Sequence, residues 1–265
     1  MYETTYHRPG SIAEAAAMLS KAADGKLLAG GQTLIPTMKQ RLASPSDLVD
    51  IGGLAELQGI TVGGGTVTIG AGTKHGEVAG SADVAGAIPA LSALAEGIGD
   101  PHVRQMGTLG GSIANNDPAA DYPAAVVGLG ATVTTSKRAI AGDDFFTGMF
   151  ETALDEGEII TRVAFPVPAK AGYAKFANPA SRYAMVGVMV SKGTDGAVRV
   201  AVTGAGPCVF RVPAMEAALA ANWSPAALDG IAVSAADLNS DIHGSAEYRA
   251  NLVTVMAKRA VAAAG

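Results

Sequence analysis

A single cysteine, Cys208, is present in 265 residues, so no disulfide can close within the chain and no cysteine-ligated iron–sulfur cluster can be built from it alone. Cys208 is expected to be a small buried thiol. Histidine is also scarce. His7, His75, His102 and His243 are scattered without metal-site spacing and are expected to be surface or structural groups. Aromatic residues make up 5%, no basic run exists, and the net charge is −5. A nucleic-acid surface needs a Lys/Arg stripe, so that class is excluded. No apolar run approaches the ~18 residues of a membrane span. The opening MYETTYHRPGS lacks the charged and apolar regions of a secretion signal, and a cytoplasmic location is expected. Neither H-E-x-x-H nor G-x-S-x-G occurs. Between Asp117 and Asp121 no further oxygen side chain completes a magnesium site. No catalytic residue and no metal ligand is assigned.

What the chain does have is apolar residues, 49% against 16% charged, enough for a sizeable core. Tyr2–Tyr6 reads as a strand. Ser11 and Glu14 form a capping-box pattern, with a helix expected to about Ala23. Lys26–Ala29 is a short buried strand, Leu34–Leu42 a brief helix, and Leu48–Ile51 another strand, which together make a small α/β unit. Ile60–Val62 and Thr66–Ile69, around three glycines, predict a hairpin. Ala82–Gly97 is helical in pieces broken at Pro89. Ala124–Leu129 is a helix or strand, Ala131–Thr135 a strand, and Glu158–Phe165 a strand closed by the linker candidate Pro166-Val-Pro168. Beyond it, Met185–Ser191 and Val198–Thr203 form a hairpin. Pro213–Ala221 and Ala246–Ala264 are helical, with Lys258 and Arg259 suiting the last helix's end.

Two glycine segments stand out. In the first, Ala29-Gly30-Gly31-Gln32-Thr33, a strand empties into a helix start, where free N–H groups welcome an anion and glycine lets the backbone approach a phosphate. A plain β-to-α turn explains it equally well. The second is GTLGGSIANNDPAADYP, Gly107 to Pro123. Gly110 and Gly111 can present amides to a diphosphate, Thr108 and Ser112 offer hydroxyls, and Asp121 can accept from sugar-like hydroxyls. Asp117-Pro118 also reads as a helix start, Asp as N-cap and Pro at N1. Standard nucleotide fingerprints fail: Gly70-Ala-Gly72-Thr-Lys-His-Gly76 has one residue too many for G-x-G-x-x-G, and no Walker motif exists.

AGGQTLIPTMKQRLASPSDLVDI and HVRQMGTLGGSIANNDPAADYPA resemble the FAD-binding medium subunit of molybdenum hydroxylases, of the aerobic carbon monoxide dehydrogenase and xanthine dehydrogenase group. The resemblance extends over essentially the whole chain, including Gly142–Gly148 and the tail from Ser245. It implies an α+β fold: a two-lobed FAD-binding domain of the PCMH (vanillyl-alcohol oxidase) type over 1–168, with lobes of about 1–55 and 56–168, and a C-terminal α+β domain over 169–265. By resemblance, Leu27, Leu28, Ala29, Gly30, Gly31, Gln32, Thr33 and Leu34 line the FAD diphosphate. Thr108, Leu109, Gly110, Gly111 and Ser112 form a second wall, with Asn115 and Asp117 beside it. Asp121 matches a flavin-contacting aspartate, Ile160 an apolar flavin contact, Lys175 a lysine near the flavin and Tyr183 an aromatic over one flavin face. Ile98 is expected at the adenine end. Thr33 stands where the family more often has Ser, and Arg182 where it often has Asp. The implied activity is electron transfer by FAD, within a complex whose small subunit carries 2Fe-2S clusters and whose large subunit carries the molybdenum cofactor, as a dimer of heterotrimers. Rival readings are a self-sufficient flavin reductase or oxidase, a scaffold that has lost its cofactor, and an NAD-binding protein, which the failed fingerprint disfavours.

Overall fold

The computed structural model describes residues 1–264. Its first sheet is small and parallel, in the order Thr5–His7, Asp47–Asp50, Gly25–Leu28. Helix Leu34–Lys39 makes the crossover between the parallel neighbours Gly25–Leu28 and Asp47–Asp50, and helix Ile12–Leu19 joins the two outer strands. Ser11 caps the first helix by accepting from the Glu14 amide. The reciprocal bond differs from the capping-box expectation, because Glu14 Oε2 accepts from Gly10 N at 2.6 Å rather than from Ser11. That helix also stops at Leu19, before the expected Ala23.

The second sheet is antiparallel and five-stranded: Ile60–Gly63, Thr66–Gly70, Ile160–Pro166, Thr132–Thr135, Ala139–Ala141. The predicted hairpin is there, turning at Gly64 and Gly65, both with positive φ (58° and 73°), as a tight hairpin loop demands. Val67, Ile69, Val133, Val163 and Phe165 alternate inward along these strands, under helices Ala82–Ala87, Pro89–Glu96 and Tyr122–Gly128. The short apolar segment read as helix or strand is thus a helix.

GTLGGSIAN is not a loop. Thr108 is an N-cap whose side chain accepts from the Gly111 amide, and Leu109–Asn115 is helical. Asn116 ends it in the left-handed conformation, φ 42°. Conversely, Asp117-Pro118 starts no helix: Asp117 Oδ1 accepts from Ala119 N at 2.9 Å, a local turn that ends before Asp121, which precedes the next helix without a side-chain cap.

The third sheet, Lys170–Ala177, Ala184–Lys192, Val198–Thr203 and Phe210–Arg211, is antiparallel. Ala184–Lys192 is buried on both faces, and period two explains how. Val186, Val188 and Val190 pack with Leu252, Val253 and Met256 of helix Ala246–Ala263. Met189, on the other face, joins the second sheet's core and meets Gly128, where a Cβ would lie 2.6 Å from its Cγ. Lys258 and Arg259 fall short of that last helix's final turn; Lys258 pairs with Asp229 instead. Cys208 is half-buried rather than buried, facing the Asn116 amide at 3.6 Å.

Candidate functional site

The site begins where strand Gly25–Leu28 ends. That is the carboxyl edge of a parallel sheet, the usual place for a ligand in such sheets. Gly31 turns the chain with φ 68°, and helix Leu34–Lys39 follows at once. Among the described residues, the backbone N–H groups of Gly30, Gly31, Gln32 and Thr33 donate to no protein acceptor. Thr33 makes no side-chain cap, so its exposed hydroxyl is also uncommitted. Leu27 and Leu28 bring the chain in, and Leu28 packs behind Gly31, its Cδ1 lying 3.3 Å from where a Gly31 Cβ would stand.

The second glycine segment meets the first edge to edge. Gly30 is pressed against the Met106 carbonyl and the Gly107 Cα. A Cβ on Gly111 would point at Ala29 Cβ, 3.9 Å away. The expectation that Gly110 and Gly111 present free amides is not met. Gly110 N donates to Ala71 O at 2.8 Å, and Gly111 N to the Thr108 hydroxyl at 3.1 Å. Gly110 is glycine for packing: a Cβ there would sit 2.6 Å from Ala71 Cβ. Leu109 is fully buried core. On this wall Gly111 and the half-buried Ser112 remain exposed toward the first segment's side.

Beneath it lies His75, a residue the sequence did not single out for the site. Its amide donates to Gly107 O at 2.9 Å, and its ring fills the space a Gly107 side chain would need, Nε2 lying 2.7 Å from that Cβ position. Burial, then the Arg104 guanidinium, pushes the imidazole down to about 4, so it is neutral at pH 7. Its Nδ1 and the hydroxyl of Tyr122, 5.3 Å away between ring centres, have no hydrogen-bond partner among the described residues.

Asp121, nearly fully buried, ends the segment. Its carboxylate takes the Tyr173 hydroxyl at 2.5 Å (Oδ1) and the Lys175 ammonium at 2.9 Å (Oδ1) and 3.1 Å (Oδ2). Burial pushes this carboxyl up, and the Lys175 charge followed by the Tyr173 hydroxyl opposes that. Lys175 also donates to Gly97 O at 2.8 Å. Ile98, next in the chain, is buried beside this Gly97–Lys175 contact. Ile160 is buried in the second sheet at a register shift. Tyr173 and Asn116 were missed. Tyr173 alternates with Lys175 along one strand face, which is the signal that could have found it. Asn116 gives its side-chain amide to Gly148 O and Glu151 O (2.7 and 2.8 Å), whereas the half-buried Asn115 has no such anchor.

From Asp117 a cleft of about 400 Å³ opens, lined by Pro118, Met149, Phe150, Asn178 and Tyr183. Tyr183 is 53% exposed on its rim, with the left-handed Arg182 just before it. Burial, then the Asp117 charge, raises the Tyr183 phenol. Free amides, a buried polar pair and an aromatic cleft are the kinds of group that a diphosphate, a polyhydroxyl chain and a ring system need. A diphosphate needs the first of these, and the residues there fit it.

The sequence family described as the FAD binding domain in molybdopterin dehydrogenase matches residues 2–168, and that of the CO dehydrogenase flavoprotein C-terminal domain matches residues 171–264. The chain is 37% identical to the nicotine 6-hydroxylase medium subunit of Paenarthrobacter nicotinovorans, over 98% of this chain and 96% of that one. It is equally identical, 37%, to the carbon monoxide dehydrogenase medium chain of Afipia carboxidovorans, over 97% and 94%. Its fold superposes with a TM-score of 0.88 on a chain of carbon monoxide dehydrogenase from Hydrogenophaga pseudoflava, at 35% identity over 99% and 97% of the two chains. A chain of quinoline 2-oxidoreductase from Pseudomonas putida gives 0.84 at 30% identity, over 99% and 96%. The chain belongs to the FAD-binding medium subunits of molybdenum hydroxylases such as carbon monoxide dehydrogenase.

Proposed function

We propose that this chain is the electron-transfer subunit of a cytoplasmic molybdenum hydroxylase complex, collecting electrons from 2Fe-2S clusters of a small subunit and releasing them to an external acceptor. A large molybdenum-bearing subunit completes the complex, as a dimer of heterotrimers. Residues 1–168 form the FAD-binding domain, in lobes of about 1–55 and 56–168, and 169–265 the C-terminal domain. The observation that carries the reading is the run of four unpartnered amides from Gly30 to Thr33, set against the Met106–Gly107 backbone. One cysteine cannot ligate a cluster, which is why the clusters belong to a partner.

Bound FAD supplies the redox chemistry, accepting electrons and passing them on. The chain's own residues bind and orient. The amides of 30–33 and the Thr33 hydroxyl hold the diphosphate from one side; Gly111 and Ser112 close the other. Asp121 and Lys175 receive the hydroxyl-bearing chain, where burial keeps competing water out. Asn115 and Asp117 would stand beside that second wall, Ile98 at the adenine end, Ile160 as an apolar flavin contact and Tyr183 against one face of the flavin.

The test is to purify the chain, alone and with its partner subunits, record its visible spectrum and titrate it with FAD. Stoichiometric uptake in either form supports the reading. A folded complex that takes up no FAD overturns it.

A further inference from the structure

We infer that Tyr173 is a positioning residue of the cofactor site: its hydroxyl fixes the Asp121 carboxylate, and through it the Lys175 ammonium, in the orientation that receives the hydroxyl-bearing part of the ligand. The inference rests on the flavin reading and adds a residue to it.

Tyr173 and Lys175 lie two apart on strand Lys170–Ala177, so both side chains leave the same face and reach the same carboxylate, 52 and 54 residues away in sequence. Lys175 alone would neutralise Asp121. The hydroxyl at 2.5 Å adds no charge; it adds direction at Oδ1, because the Lys175 ammonium, though it reaches both carboxylate oxygens, is a point charge on a flexible stem and fixes the twist about Cβ–Cγ less tightly than an added hydroxyl donor does. The fold makes room for this hydroxyl. On the neighbouring strand Gly187 pairs across from Lys175, and a Cβ at Gly187 would collide with the Tyr173 oxygen.

The donor and acceptor count shows what the arrangement leaves over. An ionised carboxylate offers about four lone-pair positions, and an ammonium three N–H groups. Asp121 spends one position on Tyr173 and up to two on Lys175. Lys175 spends one N–H on Gly97 O and at least one on Asp121. At least one acceptor position on Asp121 therefore stays free, with its direction set by Tyr173, and a ligand hydroxyl is the group that matches it. A brace whose task was only to tie helix Tyr122–Gly128 to the third sheet would not need that vacancy.

The experiment is a double-mutant cycle on FAD affinity, read in the partner complex after flavin removal and retitration. The proteins are the wild type, Tyr173→Phe, Asp121→Asn and the double variant, with ADP as a competing probe that carries the diphosphate but neither ribityl chain nor ring. Tyr173→Phe is expected to weaken FAD about tenfold. In the Asp121→Asn background it is expected to cause no further loss, since Tyr173 acts through Asp121. ADP affinity should stay unchanged throughout. An unchanged FAD affinity in Tyr173→Phe, or losses that simply multiply in the double variant, overturns the assignment. A wild-type complex that binds no FAD overturns the flavin reading and this inference with it. If Tyr173→Phe does not fold, Gly187→Ala decides, because it displaces the hydroxyl and keeps the ring; the same loss, again absent in the Asp121→Asn background, is required.

Discussion

Gly30 packs its Cα against the main-chain carbonyl of Met106, with no room for a side chain between them. That contact sets the spacing of the two glycine segments, beside which the Gly30–Thr33 amides have no protein acceptor among the described residues. Gly30→Ala should therefore abolish or greatly weaken FAD uptake. Gly110→Ala, whose Cβ would meet Ala71 instead, should act on the fold and cost on the order of 1–3 kcal/mol of stability. Thermal unfolding beside FAD titration separates the two. Wild-type flavin affinity in folded Gly30→Ala would contradict the seam's role.

His75 predicts a pH dependence. Its folded-state value of about 4 lies below the ordinary 6.5, so the unfolded chain takes up the proton first. The stability is fully present above pH 6.5 and is lost as pH falls toward 4, by about 3 kcal/mol in all. Glu158 adds a separate, more acidic loss. Its burial alone would raise the carboxyl, but the Arg138 guanidinium, the Thr135 hydroxyl and the Asp155 amide bring it down to about 2, so that stability fades between pH 4.5 and 2. Urea midpoints across pH 7 to 4, for the wild type and His75→Gln, check this. Parallel curves would exclude His75 as the cause of the first loss.

The elements that were legible in the sequence are those whose signal is local. The Gly63–Gly65 hairpin, the break at Pro89 and the hairpin of Met185–Ser191 with Val198–Thr203 each follow from neighbours a few residues away. Gly30 and Gly31 were legible as a turn from strand into helix for the same reason. Gly110 was not: two adjacent glycines look like loop, yet the Thr108 cap makes them a helix start, and what demands a glycine there is Ala71, far back in the chain. The order of the second sheet was equally hidden, because strand Ile160–Pro166 inserts between Thr66–Gly70 and Thr132–Thr135. Asp121 could be picked out as unusual, but its partners come from a strand in the third sheet that no spacing rule connects to it.

Asn116 carries a prediction that does not involve ligand. Its buried side-chain amide is the shared donor to Gly148 O and Glu151 O, and its main-chain carbonyl accepts from Phe150 N at 3.1 Å. Phe150 itself is left-handed, φ 57°, a strained state for an aromatic residue. Asn116→Ala should orphan two carbonyls, add strain at a left-handed position and cost about 2–3 kcal/mol. The turn at Met149–Phe150 should become the first site of limited proteolysis. An unchanged cleavage pattern would show that other contacts hold that turn.

Lys175 and Asp121 make the sharpest asymmetry. Both side chains are largely withdrawn from water, so removing one partner leaves a buried group without its counter-charge. Lys175→Met should destabilise the chain by about 3–5 kcal/mol, because the Asp121 carboxylate then keeps only the Tyr173 hydroxyl. Burial would push that carboxyl higher still, and it would take up a proton at a pH where the wild type stays ionised. Adding Asp121→Asn to Lys175→Met removes the uncompensated charge, and most of the lost stability should return. FAD affinity should not return with it, since the charged acceptor and the ammonium donor left for the ligand have both gone. Denaturant titration of the two variants beside their flavin titrations gives the answer. Recovery of binding together with stability would mean that the pair serves packing alone; stability without binding would place both charges in the cofactor site.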